Sequence, residues 1–317
     1  MILVTGATGF VGRALCERLN GHDALRIAVR NPVALGWTEQ FDVVQTALDP
    51  AQDWRPALKG IATVVHCAAR VHVMNDDAAD PLREFRRINV DGTLQLARQA
   101  AEAGVKRCVF ISSIKVNGES TVAGQPFTAA QVPAPIDPYG VSKWEAEQQL
   151  HQLSAETGME VVIIRPVLVY GPGVKANFLN MMKWLYKGVP LPLGAIHNKR
   201  SIVALDNLVD LIVTCIDHPR AANQTFLVSD GEDLSTTELL QRMSQALGKR
   251  PRLLPVPVWM METAAKALGK QSIAQRLFGS LQVDISHTRE CLGWTPPVSV
   301  DAALRKTAQH FLKQQKQ

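Results

Sequence analysis

Short apolar segments alternate with helical segments along the first half of the chain. Short segments rich in apolar residues predict strands, and they occupy residues 1–5, 25–29, 42–46, 62–66, 107–111 and 161–169. Between these runs the apolar residues recur at helical spacing, as in the predicted helix 85–103. Strands that alternate with helices form a parallel sheet covered by helices. The pattern therefore predicts an α/β protein with a doubly wound parallel sheet of the Rossmann type.

The pattern changes after residue 170, where helical segments dominate. Ser235 and Glu238 form a capping-box pattern that begins a predicted helix over 239–247. Further helices are predicted at 177–185, in the later part of 253–268 and at 300–312. We predict a dinucleotide-binding Rossmann domain over 1–170, to which 202–230 returns, and a small discontinuous substrate-binding lobe over 171–201 and 231–317.

A glycine-rich turn follows the first predicted strand and precedes a helix. Glycines permit a tight turn and a close backbone approach to a pyrophosphate, and a helix N-terminus offers N–H groups to it. The alternative is a strand-to-helix turn that binds nothing. The candidate cofactor contacts in this turn are Gly6, Thr8, Gly9, Phe10, Val11 and Gly12.

Further cofactor contacts are predicted after the second, third and fourth strands. Arg30 ends the second strand, where an arginine can pair with a ribose 2′-phosphate, so it favours NADP(H) over NAD(H). An exposed arginine at a strand end is the alternative. Leu48 and Asp49 lie just beyond the third strand, close to the predicted adenine position. Ala68 and Ala69 follow the fourth strand, and their small side chains let the chain pass close to the cofactor.

Tyr139 and Lys143 are four residues apart at the head of a predicted helix, so they lie on one face about one turn apart. A cation beside a phenol lowers its pKa from roughly 10, which suits a general acid/base. Ser113 ends the fifth strand, and ligands bind beyond the carboxyl ends of such strands. Ser113 is therefore placed to hydrogen-bond the same substrate oxygen as Tyr139. A solvated surface pair and a capping serine are the alternatives.

These motifs together resemble the extended short-chain dehydrogenase/reductase superfamily, in particular its nucleotide-sugar epimerases, dehydratases and ketoreductases. The matching segments are 6–12, 112–113, 139–143, 165–173, 200–206 and 292–296. The resemblance implies that Ser113, Tyr139 and Lys143 form a catalytic triad and that Lys143 also holds the nicotinamide ribose. It further implies that Arg200 binds the diphosphate of a nucleotide sugar and that the protein is a homodimer.

Two departures from the family pattern concern the substrate. The serine is followed by Val116-Asn117-Gly118, where the family usually has a tyrosine in place of the asparagine, and Leu168 replaces an asparagine common in epimerases. Residues 112–119 and 226–231 most resemble bacterial enzymes of surface-polysaccharide (O-antigen) synthesis. Those enzymes reduce a UDP-linked 4-keto-6-deoxy-N-acetylhexosamine to UDP-N-acetylquinovosamine. The candidate substrate contacts are Ser113, Lys115, Asn117, Asn177, Arg200 and Arg276; a helix N-cap is the alternative for Asn177, and a surface arginine is the alternative for Arg276.

The main expectation is therefore an NAD(P)-dependent oxidoreductase that reduces the 4-keto group of such a UDP-sugar. A UDP-glucose or UDP-N-acetylglucosamine 4-epimerase is the first alternative, because the triad performs the same hydride step in both reactions. Arg30 favours the reductase, since net reduction consumes a dissociable NAD(P)H. An alternative of another class is a non-catalytic NAD(P)-binding sensor or scaffold.

Composition changes this picture little. A chain of 317 residues, 46% hydrophobic and 20% charged, can bury a sizeable core. The net charge of +5 is spread along the chain, which favours a mildly basic surface over nucleic-acid binding and suits an anionic substrate. The cysteines are far apart and predict reduced core thiols and no metal site. Without a leader or a long apolar stretch, we expect a cytoplasmic protein with neither nucleic-acid nor membrane partners.

Overall fold

A computed structural model describes residues 1–21, 24–32, 40–71, 80–122, 124–269 and 271–315. Within these ranges the strands are β1 (Ile2–Thr5), β2 (Leu25–Val29), β3 (Asp42–Gln45), β4 (Thr63–His66), β5 (Arg107–Ile111), β6 (Glu160–Pro166), β7 (Leu168–Tyr170), β8 (Arg200–Ala204), β9 (Thr225–Val228) and β10 (Asp233–Leu234). The helices are α1 (Phe10–Leu19), α2 (Arg55–Leu58), α3 (Pro81–Arg86), α4 (Thr93–Glu102), α5 (Pro138–Thr157), α6 (Ala176–Tyr186), α7 (Leu205–Asp217), α8 (Thr236–Ala246), α9 (Val258–Ala267), α10 (Gln271–Phe278), α11 (Ser286–Leu292) and α12 (Val300–Gln315).

A seven-stranded parallel sheet forms the centre of the fold, with the order β3-β2-β1-β4-β5-β6-β9. The strand order reverses between β1 and β4, which opens a crevice at their carboxyl ends. One apolar cluster on the sheet includes Leu15 of α1 and Leu208 of α7, and another includes Leu96 of α4 and Leu150 of α5. This architecture confirms the predicted fold class.

A second sheet of three strands has the order β10-β8-β7, with β7 and β8 parallel and β10 antiparallel to β8. The single strand predicted over 161–169 is therefore wrong. β6 ends at Pro166, and β7 begins at Leu168 in the other sheet. Proline has no N–H to donate, which suits the end of a ladder. Of the segment 202–230, β9 joins the large sheet and α7 packs on α1, whereas β8 lies in the second sheet. The domain boundaries stay a prediction.

The helix predicted over 85–103 is three consecutive segments. It begins earlier, at Pro81, where the Asp80 side chain accepts from the Arg83 N–H, and it contains a π-helical segment, Arg87–Gly92, before α4. The capping box at the head of α8 is confirmed, because the Ser235 and Glu238 side chains each accept a backbone N–H of the other residue. None of the helices in the described ranges is both long and apolar enough to cross a bilayer.

Candidate active site

The glycine-rich turn, residues 6–12 (the cradle), has no room for a side chain at two of its glycines. Gly6 has φ +69°, and a Cβ on Gly6 would lie 2.6 Å from the Ala68 nitrogen. A Cβ on Gly12 would lie 2.2 Å from the Gly6 oxygen. The N-cap residue of α1, Gly9, supplies no side-chain hydrogen bond to the helix. The backbone N–H groups at the start of α1 therefore suit a pyrophosphate, as the predicted contacts from Gly6 to Gly12 require.

The turn after β4 forms the opposite wall of this cradle. Ala68 and Ala69 are half-buried, and the Ala68 N–H donates to the Thr5 hydroxyl at 3.3 Å. Thr5 also contacts His66 Nδ1 at 2.6 Å, and the other ring nitrogen of His66 contacts the Thr93 hydroxyl at 3.0 Å. Burial and the charge of Lys143 lower the pKa of His66 to about 3. His66 is therefore a neutral link between β1, β4 and α4, and no motif in the sequence pointed to it.

The three remaining cofactor candidates have different surroundings. Arg30 is exposed at the carboxyl end of β2, and its carbonyl accepts from the Gln45 amide at 3.1 Å. Asp49 accepts from Arg87 Nη1 at 2.7 Å in a surface ion pair. Leu48 lies against Gly92, where an added Cβ would meet its side chain at 3.2 Å. The structure thus leaves the Arg30 side chain at the surface and pairs the Asp49 carboxylate within the protein.

Asp137 and Gly140 set the start of α5, the helix that carries Tyr139 and Lys143. Asp137 Oδ1 accepts the Gly140 N–H at 2.6 Å, and Pro138 occupies the first helical position. A Cβ on Gly140 would lie 2.8 Å from the Lys115 carbonyl oxygen, so only glycine fits this approach. The head of α5 is therefore held tightly against the segment that follows Ser113.

Tyr139 and Lys143 project from this helix into different surroundings. The half-buried Tyr139 ring meets Phe85 edge to face, with 6.0 Å between ring centroids. Lys143 is 2% exposed, and its Nζ donates to the Ile111 carbonyl oxygen at 2.8 Å. The same ammonium lies 4.3 Å from the centroid of the Phe110 ring. Lys143 thus joins α5 to the carboxyl end of β5, where Ser112 and Ser113 begin.

The predicted electrostatic effect of Lys143 on Tyr139 is wrong for this structure. Burial raises the pKa of Tyr139, and the negative charge of Asp137 raises it further. Burial lowers the pKa of Lys143 to about 8, and the carboxylate of Glu147 opposes that shift. Desolvation disfavours the charged form of each group and sets the direction of both pKa shifts. The Tyr139 phenol is therefore protonated at neutral pH.

Asn89 ties the head of α5 to the chain after β4. Its side chain accepts the Arg70 N–H at 2.8 Å and donates to the Arg70 carbonyl at 3.0 Å and to the Ser142 hydroxyl at 3.0 Å. Ser142 in turn donates to the Tyr139 carbonyl at 2.8 Å. Asn89 is 1% exposed within the π-helical segment. This amide therefore has a structural role, which holds the head of α5 in place.

Ser112 and Ser113 face different partners. The half-buried Ser113 hydroxyl accepts the Lys115 N–H at 3.3 Å. Ser112 is buried, and its hydroxyl donates to Glu147 at 2.5 Å. Glu147 is fully buried and forms a two-pronged ion pair with Arg165, with 2.5 Å between Nη2 and Oε2. This buried pair beneath the predicted triad was missed, because its members come from α5 and β6 and have no local signature.

Two predicted substrate contacts have partners within the protein. Asn117 is 1% exposed, accepts from Arg165 at 3.0 Å and donates to the Thr128 carbonyl at 3.2 Å. Both ends of this amide are used in the core, so its prediction as a substrate contact is corrected to a structural role. The Lys115 ammonium contacts the carboxylates of Asp137 and Glu119. Lys115 is thus held by two carboxylates beside the head of α5.

Two arginines distant in sequence come together at the second sheet. Arg200 begins β8 and donates to the Gly279 carbonyl at 2.9 Å. Burial and the nearby charge of Arg276, on α10, lower the pKa of Arg200. Two adjacent guanidinium groups suit a diphosphate. Asn177 is exposed in the first turn of α6, and its alternative role as N-cap is wrong, because Lys175 occupies that position.

The sequence matches a known family over most of its length. The model of the NAD dependent epimerase/dehydratase family matches residues 2–229. A relative from Vibrio cholerae, described as UDP-glucose 4-epimerase, is 52% identical over 315 residues, covering 98% of this chain and 95% of the relative.

Solved structures share the fold at lower identity. The UDP-glucose 4-epimerase of Thermotoga maritima with UDP-glucose superposes with a TM-score of 0.77 at 22% identity, covering 99% of each chain. The UDP-glucuronic acid 4-epimerase of Bacillus cereus in complex with NAD has a TM-score of 0.79 at 20% identity, covering 99% of this chain and 97% of the other. This likeness extends to the second sheet as well as the Rossmann sheet.

Proposed function

Because the chain belongs to the NAD dependent epimerase/dehydratase family, we propose that it interconverts the C4 epimers of a UDP-hexose, with NAD as its cofactor. The observation that carries this proposal is the 52% sequence identity, over 98% of this chain, to a relative described as UDP-glucose 4-epimerase. It favours the epimerase, which the sequence alone placed second, over net reduction of a 4-keto sugar.

The cradle residues fit a dinucleotide. Gly6, Gly9 and Gly12 leave room for a pyrophosphate at the start of α1, where a Cβ on Gly6 or Gly12 would collide with backbone. Ala68 and Ala69 line the other side, and Lys143, at the carboxyl end of β5, would hold the nicotinamide ribose. A bound NAD would supply the chemistry of a reversible hydride acceptor for C4 of the sugar.

Tyr139 and Ser113 would handle the proton of the same step. Oxidation at C4 releases a hydride from carbon and a proton from the hydroxyl, so Tyr139 has to take that proton as a phenolate. Ser113 donates a hydrogen bond to the C4 oxygen throughout. In the return step Tyr139 gives the proton back to the oxygen. Inversion at C4 requires the 4-keto sugar to present its opposite face before that return.

The electrostatics of α5 bear on the first of these steps. Burial and Asp137 hold Tyr139 as a phenol, so the oxidative direction begins from the less favourable protonation state. A charged Lys143 one helical turn away favours loss of the phenolic proton. A pKa of about 8 keeps much of Lys143 charged at neutral pH. We propose that Arg200 and Arg276 bind the diphosphate of the UDP-sugar and hold the hexose against Tyr139.

A second candidate is the NADPH-dependent 4-ketoreductase. The observation in its favour is Arg30, whose exposed guanidinium at the carboxyl end of β2 can reach a 2′-phosphate. If NADPH is the cofactor, Arg30→Ala raises the KM for NADPH about tenfold and leaves the KM for NADH unchanged. The homodimer expected from the resemblance stays a prediction that sedimentation equilibrium tests.

The deciding experiment supplies UDP-glucose or UDP-N-acetylglucosamine to the purified protein without added reductant. We expect the 4-epimer to appear, and Tyr139→Phe to reduce its formation by about 10²–10⁴-fold. Tyr186→Phe is the matched control, because Tyr186 packs edge to face against Phe311 in the apolar cluster at the second sheet. Consumption of NADPH with a UDP-4-keto sugar and no epimer would favour the reductase. NAD binding without turnover of either sugar would favour the sensor or scaffold.

A further inference from the structure

Helix α9 presents its apolar side chains to solvent. None of its residues is buried, although its sequence is largely apolar. Trp259 is 67% exposed and Met260 is 47% exposed. Leu254, before the helix, and Leu268, at its C-terminal end, are 51% and 70% exposed. Four large apolar residues thus lie at the surface within one short segment.

The helical spacing separates an inner face of α9 from an outer face that carries Trp259 and Met260. Val258 and Met261 are half-buried and pack against the core around the second sheet, which defines the inner face. Trp259, Thr263 and Ala267 follow one another at intervals of four on the opposite side, with Met260 beside them. The hydroxyl of the intervening Thr263 donates back to the Trp259 carbonyl at 2.8 Å. The outer face therefore carries a tryptophan and a methionine, residues that an ordinary surface helix turns towards the core.

Basic residues lie on α9 and in the segment just before it. Lys249, Arg250 and Arg252 are exposed in the segment before α9, and Lys266 is exposed on the helix itself. Within residues 249–269, all of which the structure describes, Glu262 is the single acidic residue. A tryptophan, methionine and leucine surface bordered by lysine and arginine has the composition of helices that lie in the interface of anionic membranes.

We propose that the outer face of α9 docks onto the surface of an anionic phospholipid bilayer. A helix of 10 residues is too short to span the hydrocarbon core, so it lies in the plane of the interface. A second copy of the chain fits less well, because a two-fold contact through this face brings the same basic residues together. The expectation of no membrane partner rested on the lack of a long apolar run, which surface docking does not require.

Docking in this way orients the substrate-binding side of the protein. α9 packs against α10, and α10 carries Arg276 beside Arg200. The proposed diphosphate site is thus one helix away from the docking face. The proposal does not depend on the reaction catalysed, because it rests on the exposure and charge of α9 and its neighbouring segment.

The test is flotation of the full-length protein with vesicles of phosphatidylcholine, or of phosphatidylcholine mixed with an equal amount of phosphatidylglycerol. We expect binding to the mixed vesicles that weakens as salt is raised. Trp259→Ser combined with Met260→Ser lowers the partition coefficient at least about tenfold, and Lys266→Glu lowers it about fivefold or more. Turnover of a water-soluble UDP-sugar and the melting temperature stay unchanged in both variants.

Matched controls lie elsewhere on the surface. Val132→Ser combined with Ile136→Ser removes two exposed apolar residues before α5, and Lys106→Glu reverses an exposed charge next to β5. These variants bind vesicles as the unaltered protein does. Failure of the unaltered protein to bind mixed vesicles, or equal binding by the α9 variants, overturns the proposal. Self-association that the α9 variants abolish, without vesicle binding, assigns the face to a second copy instead.

Discussion

The buried ion pair between Glu147 and Arg165 allows a sharp test of how the predicted triad is supported. Glu147→Gln removes the negative charge and leaves the guanidinium of Arg165 without its counter-ion in the core. The carboxylate accepts from Ser112 at 2.5 Å and from Arg165 Nη2 at 2.5 Å and Nε at 3.0 Å. The Glu147 side chain has no exposed surface, and 4% of the Arg165 side chain is exposed, so water cannot replace these contacts.

Removing one partner of such a pair typically costs about 3–5 kcal/mol, because the remaining charge stays buried and unpaired. At roughly 2–4 °C per kcal/mol for a protein of this size or somewhat smaller, the melting temperature falls by about 10 °C. Replacing both partners, as in Glu147→Met with Arg165→Met, removes the unpaired charge. The double variant therefore recovers much of the loss, apart from the hydrogen bonds that Asn117 and Ser112 lose.

The matched control is on the same helix. Glu145 forms a two-pronged ion pair with Arg86, but 26% and 49% of their side chains are exposed. Glu145→Gln therefore costs about 1 kcal/mol or less. The free energy of unfolding is measured by urea denaturation at neutral pH. A cost for Glu147→Gln no larger than that for Glu145→Gln would refute the assignment of a buried, unscreened pair.

Three further predictions concern the site itself. Asp137→Asn keeps the helix cap but removes a charge that raises the pKa of Tyr139, so the phenolate forms at lower pH. The acid limb of the pH–rate profile therefore shifts to lower pH. Glu119→Gln is the control and leaves the acid limb in place. Gly12→Ala places a Cβ where backbone lies 2.2 Å away, so NAD binding measured by calorimetry is lost or weakened at least about tenfold; unchanged affinity would contradict the cradle. Arg276→Ala raises the KM for the UDP-sugar about tenfold with kcat nearly unchanged, and an equal fall in kcat alone would contradict a binding role.

Local patterns were sufficient for much of the fold. Strand β2 and strand β5 have the predicted bounds, and the capping box begins α8, because burial of an apolar run and capping of a helix depend on neighbouring residues. The glycine turn is equally local, since the backbone conformation that Gly6 adopts is one that glycine permits. Each of these features is determined by a few neighbouring residues.

Tertiary contacts decided the rest. The run 161–169 is apolar apart from Arg165, and only the position of each sheet divides it into β6 and β7. Asn117 enters the core because Arg165 lies there to satisfy it, and the pKa of Tyr139 rises because burial and the charge of Asp137 disfavour the phenolate. Hydropathy likewise cannot tell which face of α9 meets the core. The sequence by itself determined the elements and the candidate residues, whereas desolvation and charge pairing act between residues far apart in the chain and exist only once it has folded.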